Sequence, residues 1–266
     1  MYCHGITTDR IHADVFGDGP RAIFVHGSFG WGLDTFPDQR ALAAAYEVVL
    51  VDRRGYGASP HVDDPGWHHD MHDVVAWLDG GAHLVGQSYG GAVCLLAAAL
   101  RPQDVLSLTV IEPIAASVAT DDAAARQLAA AIIGCWETGP RAAASDFLAA
   151  WHRGLGRTAP PDTSVFGPDD WTAVETTMRE RPVVDAPVDL AKIASAPWPT
   201  LIVKGAWPGS AGTDWLRDGC ASICRELQTR LGATLVEFEN SAHNPQLQEP
   251  HRFNQLLRTF WGSLHA

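Results

Sequence analysis

Leu84-Val85-Gly86-Gln87-Ser88-Tyr89-Gly90-Gly91 decides the reading of this chain. A short apolar run, His83 to Gly86, enters it, and an alanine- and leucine-rich helix, Ala92 to Leu100, leaves it. Within it lies the pattern Gly-x-Ser-x-Gly, with glycine at 86 and 90 around Ser88. A tight strand-to-helix turn lifts such a serine hydroxyl above a sheet, and small residues on both sides let the chain turn without collision. The backbone N–H of Tyr89, at the helix start, then faces an oxygen that becomes negative during nucleophilic attack. Five residues of this pattern also occur by chance; strand before and helix after give it chemical meaning.

Outward from this turn, short β-rich runs alternate with helices. Arg10 to Phe16 is a weak strand candidate, Arg21 to Val25 a buried one, and Tyr46 to Val51 another. Asp38 to Ala45 and Trp67 to Leu78 have helical spacing, and Leu106 to Ile111 returns to strand character. This alternation predicts an α/β protein with a mostly parallel central sheet flanked by helices. It breaks after Glu112-Pro113. Helical segments near 123–136, 141–151 and 170–179 follow, separated by proline and glycine. The strand pattern resumes at Thr200–Val203 and Thr234–Phe238, with a helix over 215–231 between them and another over 251–261. Residues 1–114 and 193–266 are therefore expected to form one core domain, with 115–192 as a helical cap inserted into it.

These residues resemble the α/β-hydrolase family across nearly the whole chain. His26-Gly27-Ser28-Phe29-Gly30-Trp31 is similar to that family's oxyanion loop after its third strand. Asp52-Arg53-Arg54-Gly55-Tyr56-Gly57-Ala58-Ser59 is similar to the loop after its fourth. The family's first strand is not distinct in this sequence. The resemblance implies that Ser28 and Tyr89 supply the oxyanion N–H groups, that Phe29 lines the pocket and that His26 is structural. Relatives with an aspartate nucleophile, the haloalkane dehalogenases and epoxide hydrolases, are disfavoured because Ser88 stands at the turn.

An unactivated serine needs a base. Glu239-Asn240-Ser241-Ala242-His243-Asn244-Pro245 follows the last expected strand, where the family places its catalytic histidine. His243 can carry the proton from Ser88 to the leaving group. The acid departs from the common family pattern. Leu201-Ile202-Val203-Lys204-Gly205 is followed by Ala206-Trp207-Pro208, without the expected aspartate. Glu112 ends the sixth strand of the family pattern; a subset that includes fungal zearalenone-lactone hydrolases places a glutamate acid there. Asp214 has the ordinary separation from His243 but needs an insertion in the loop after Gly205. Both candidates stand, Glu112 the preferred one. Without a catalytic role, Glu112 would be a pocket-wall carboxylate and Asp214 a helix N-cap.

The expected reaction is hydrolysis of a small-molecule carboxylic ester or lactone, needing neither metal nor organic cofactor. Amide or C–C bond hydrolysis and cofactor-free perhydrolysis share the scaffold, and a hydrolase-like binding or receptor protein is the rival of another class. Phe29, Trp31, Trp136, Trp151 and Trp207 are expected to line an apolar pocket, although packing of the cap onto the sheet would also use such aromatics. His68 and His72 share a helix face, with His69 beside them, but two convergent ligands fall short of a zinc site; a solvated helix start accounts for them.

The 266 residues carry a formal charge of −12, which disfavours nucleic acid and anionic membranes as partners. No apolar run is long enough to span a membrane. Five cysteines, Cys3, Cys94, Cys135, Cys220 and Cys224, make no disulfide framework, and no secretory leader is recognisable, so a cytoplasmic location is expected. The terminal helix and the cap are the two surfaces a homodimer could use.

Overall fold

Short runs of β-branched residues bounded by glycine and proline turns pair side by side in the computed structural model, which describes residues 10–157, 159, 161–209 and 214–264. The described residues form seven strands: β1 (Ala13–Phe16), β2 (Arg21–Val25), β3 (Glu47–Val51), β4 (Ala82–Gln87), β5 (Val105–Ile111), β6 (Thr200–Gly205) and β7 (Thr234–Phe238). Their order in the sheet is β1-β3-β2-β4-β5-β6-β7. β1 runs antiparallel to β3 and every other pair is parallel. Residues 1–9, Cys3 among them, lie outside the described residues, as does any counterpart there of the family's first strand.

Helices cover both faces: α1 (Gly32–Thr35), α2 (Trp67–Trp77), α3 (Tyr89–Leu100), α4 (Ala123–Thr138), α5 (Ala144–Gly154), α6 (Pro168–Arg179), α7 (Leu190–Ala194), α8 (Asp214–Leu231), α9 (Pro245–Gln248) and α10 (Pro250–Gly262). The segment expected as a helix over 38–45 is a 3₁₀ helix, Pro37–Ala44, with proline at its first position. α1, α7 and α9 are too short to leave a periodic pattern and go unread in the sequence. α4 and α6 stand within two residues of where their spacing places them, while α5 begins and ends three residues later than the expected 141–151.

One apolar cluster lies on the sheet face beneath α3 and runs without a break into α4, α5 and α6 through Leu128, Trp136, Phe147 and Val174. On the other face Phe24, Phe36, Leu42, Phe238 and Trp261 pack together under α10. Every residue of α3 from Tyr89 to Ala99 is buried, which explains its lack of a polar face. Register matters most at the C-terminal ends of the strands. Val25 pairs with Gly86, Gln87 with Ile111, Ile111 with Val203, and Gly205 with Phe238. The loops that leave β2, β4, β5, β6 and β7 therefore emerge along one edge, where parallel sheets carry their sites.

Candidate active site

The turn after β4 is tight because its glycines are irreplaceable in volume. A Cβ on Gly86 would sit 2.4 Å from the Gly90 carbonyl oxygen, and one on Gly90 would sit 2.2 Å from that of Val25. Ser88 between them adopts φ 54°, ψ −118°, a conformation that costs about 1–3 kcal/mol and is found where the surroundings impose it. Its N–H donates to the Ile111 carbonyl at 2.9 Å, and its own carbonyl accepts from Gly91, Ala92 and Ile114. The half-buried Ser88 side chain is thus left at the wall of a cavity.

Glu112 follows β5 at φ 40° and is 1 % exposed. Its backbone N–H is held by the Val203 carbonyl at 2.9 Å. Oε1 accepts from the Gly205 N–H at 2.9 Å and from the Trp207 indole N–H at 2.8 Å. Oε2 lies 2.8 Å from His243 Nδ1. With two N–H donors already on Oε1, Glu112 acts as acceptor, so Nδ1 of His243 bears the proton and Nε2 is left to accept one. The buried Cys220 thiol also bonds Glu112; burial, then the carboxylate, pushes that thiol well up, so it stays protonated. His243 itself rides on a pinned loop. Trp207 N–H bonds the Ser241 carbonyl, Ala242 N–H bonds Gln248 Oε1, and Gln87 Nε2 bonds Asn244 Oδ1 at 2.9 Å.

Ser28 and Phe29 come from the loop after β2. Close approach of this loop to the serine turn needs Gly27, whose Cβ would meet that of Ser88 at 3.0 Å. Among the described residues neither the Ser28 nor the Tyr89 backbone N–H has a protein acceptor. His26 is fully buried, with Nδ1 on the Gly27 carbonyl and Nε2 accepting from the Arg53 N–H at 2.9 Å. Burial and the Arg53 charge hold this ring well below the ordinary histidine range, so it is neutral and structural.

Ser28, Phe29, Ser88, Tyr89 and His243 line one cavity of about 380 Å³ together with Trp136 and Trp151. The Trp136 and Trp151 rings meet edge to face at 4.7 Å, and Phe29 lies 5.1 Å from Trp151. Two expected pocket aromatics lie elsewhere. Phe29, at φ 68°, turns inward and leaves Trp31 to head α1, outside the cavity lining. Trp207 holds Glu112 instead of lining the cavity. Asp214 is the exposed first residue of α8 and pairs with Arg217 at 3.0 Å; it does not meet His243. His68 and His69 approach Asp64 at the start of α2, while His72 is exposed. Among the described cysteines all thiols are free.

Sequence reasoning missed a buried polar cluster beside the cavity. Arg53 Nη1 contacts Asp70 Oδ2 at 2.8 Å and Glu180 Oε2 at 3.0 Å, all three nearly free of solvent. Tyr56 donates to Glu180 at 2.8 Å, and Ser28 Oγ donates to its other oxygen. Burial alone would lower Arg53, but Glu180, Tyr56 and Asp70 outweigh it and hold the guanidinium charged. Burial pushes the Glu180 carboxyl up against the pull of Arg53 and its hydroxyl donors. Arg53 lies in a loop that the sequence marks, but no spacing links it to a glutamate so far along the chain.

A parallel sheet with a serine turn, a histidine loop and a buried acid at one edge defines an α/β hydrolase. The family profile described as the alpha/beta hydrolase family matches residues 22–256, and the chain belongs to it. A pimeloyl-[acyl-carrier protein] methyl ester esterase of Aeromonas hydrophila is 31% identical over 120 residues, which are 42% of this chain and 45% of that protein. The dihydrolipoyllysine-residue acetyltransferase component of the acetoin cleaving system of Pseudomonas putida is 39% identical over 99 residues, 35% of this chain and 26% of that one. The match therefore spans less than half the length of these curated relatives. Among solved structures, an alpha/beta hydrolase of Sphaerobacter thermophilus superposes with a TM-score of 0.64 at 26% identity, covering 93% of this chain and 96% of that one. Est816, described as an N-acyl homoserine lactone degrading enzyme, does so at 0.61 and 24% identity, covering 94% and 96%. No described helix is long and apolar enough to cross a membrane.

Proposed function

We propose that this chain is a serine hydrolase that cleaves an apolar carboxylic ester or lactone, with Ser88 as nucleophile, His243 as base and Glu112 as acid. The contact of Glu112 Oε2 with His243 Nδ1 at 2.8 Å, on the wall of the cavity that also holds Ser88, carries this reading. The likeness of part of the chain to a methyl ester esterase supports ester cleavage. Residues 115–192 act in this reading as the cap that closes the apolar side of the site.

In the first half-reaction Ser88 Oγ attacks the carbonyl carbon as its proton passes to His243 Nε2. The Ser28 and Tyr89 N–H groups receive the negative oxygen, a contribution of about 3–4 kcal/mol for each well-placed donor. Collapse breaks the acyl–oxygen bond, and His243 returns the proton to the departing alkoxide, which stays tethered in a lactone. Water, deprotonated by the same histidine, then attacks the acyl-serine, and the tetrahedral adduct expels Ser88 with its proton restored. Glu112 stabilises the imidazolium formed in each half.

A fluorophosphonate tests this without knowledge of the substrate. Intact mass should show one adduct, absent in Ser88→Ala, and labelling should slow by about 10³-fold or more in E112Q while D214N keeps the wild-type rate. Collapse in D214N instead would move the acid to the loop after β6. A folded wild type that does not label would overturn the hydrolase reading in favour of a binding protein.

A further inference from the structure

Phe29 stands at φ 68°, a region that a bulky residue occupies at a cost of about 1–3 kcal/mol, so the Ser28–Phe29 segment must be held from outside. Two side chains at the end of α6 do so. Thr177 Oγ1 accepts from the Phe29 N–H at 3.0 Å, and Glu180 accepts from the Ser28 hydroxyl. Three residues apart, they face the same way along the helix. The Ser28 hydroxyl and the Phe29 N–H are thereby both engaged by α6 and the residue that ends it. Glu180 is in turn fixed by Arg53 and Tyr56, and Arg53 Nη2 reaches the Gly27 carbonyl at 3.0 Å. The loop is thus clasped on both sides of Ser28 by groups that contact one another.

We propose that Glu180 is a positioning residue for the oxyanion hole, setting the Ser28 N–H from the cap through the Ser28 hydroxyl. The proposal rests on the hydrolase reading, in which Ser28 is an oxyanion donor. Glu180 does not line the cavity; its direct link to the site is the Ser28 hydroxyl. An oxyanion donor is worth about 10²–10³ in turnover, and a displaced one forfeits part of that.

The test compares S28A, E180Q and T176V, using p-nitrophenyl butyrate turnover and fluorophosphonate labelling with melting temperature alongside. Thr176 is the control: it ties α6 to the Gly55 carbonyl at 2.6 Å without touching Ser28. S28A keeps the backbone N–H and removes only the grip; its kcat should fall by about 10-fold with KM within about twofold. E180Q should fall at least as far, with labelling slowed in parallel, while T176V keeps wild-type kcat at a lowered melting temperature. Unchanged kcat in S28A overturns the proposal even if E180Q does not fold. An equal loss in T176V also overturns it, by showing general loosening of the cap. Absence of labelling in wild type would remove the hydrolase reading and this proposal together; normal wild-type labelling with unaffected variants removes only this one.

Discussion

Phe29 after β2, Ser88 after β4, Glu112 after β5 and Trp207 after β6 are the non-glycine residues of positive φ among the described residues. All four lie at the C-terminal edge of neighbouring strands, and each takes part in the candidate site. Strain gathers there because the sheet and the helices behind it over-determine the backbone. Asp34, on the cavity wall, shows a second kind of local cost. Burial first, and Asp170 second, raise its carboxyl above the ordinary range. A raised acid binds its proton more tightly in the folded chain, so folding loses stability as pH rises from the ordinary carboxylate value, ~4, through the raised one. D34N removes that charge. Its melting temperature should exceed wild type at pH 7, and the gain should vanish toward pH 4. A gain of equal size at both pH values would exclude a titrating Asp34 as its cause.

At the scale of elements, contact between helices depends on small residues. α4 lies against α8 at Gly219, where a Cβ would meet Leu128 Cβ at 2.6 Å and the Ala124 carbonyl oxygen at 3.0 Å. Neither neighbour is the flexible end of a side chain. Alanine would gain up to about 1 kcal/mol of helix propensity and lose about 1–3 kcal/mol to overpacking. G219A should therefore melt a few degrees, ~2–6 °C, below wild type. A rise in melting temperature would show that the two helices can part without loss. The segment after α6 is also tied down by a parallel bridge between Gly66 and Arg181 and by the Tyr89 hydroxyl on the Arg181 carbonyl at 2.8 Å.

At the scale of the whole molecule, the cavity lies where the strand edge meets α4 and α5, and its wall is largely apolar. For straight-chain p-nitrophenyl esters, each methylene taken from water should raise kcat/KM by up to about 4-fold until the cavity is filled. Trp151→Ala should flatten that series from butyrate upward. A series that falls from acetate onward would show that the acyl chain does not enter this space. The cavity wall, and not the field of the −12 net charge, sets selectivity within the cavity.

Local sequence was enough for the α/β class, the tight turn at Ser88 and the loop that carries His243, because each rests on local periodicity or on a turn that few residues can make. Gly86 and Gly90 are legible for that reason: the close approach they permit is written in their identity. It left Glu112 and Asp214 both open as the acid, since spacing measures distance along the chain and not across it. Packing separates them: the register of β5 against β6 brings Glu112 to the His243 ring, while α8 carries Asp214 into solvent. The same holds for Trp31 and Trp207, whose turns send one to a helix start and the other to Glu112. The Arg53 cluster was least legible of all. It joins residues from the loop after β3, α2 and the end of α6, and burial of paired charges is a property of the packed chain, which no segment carries alone.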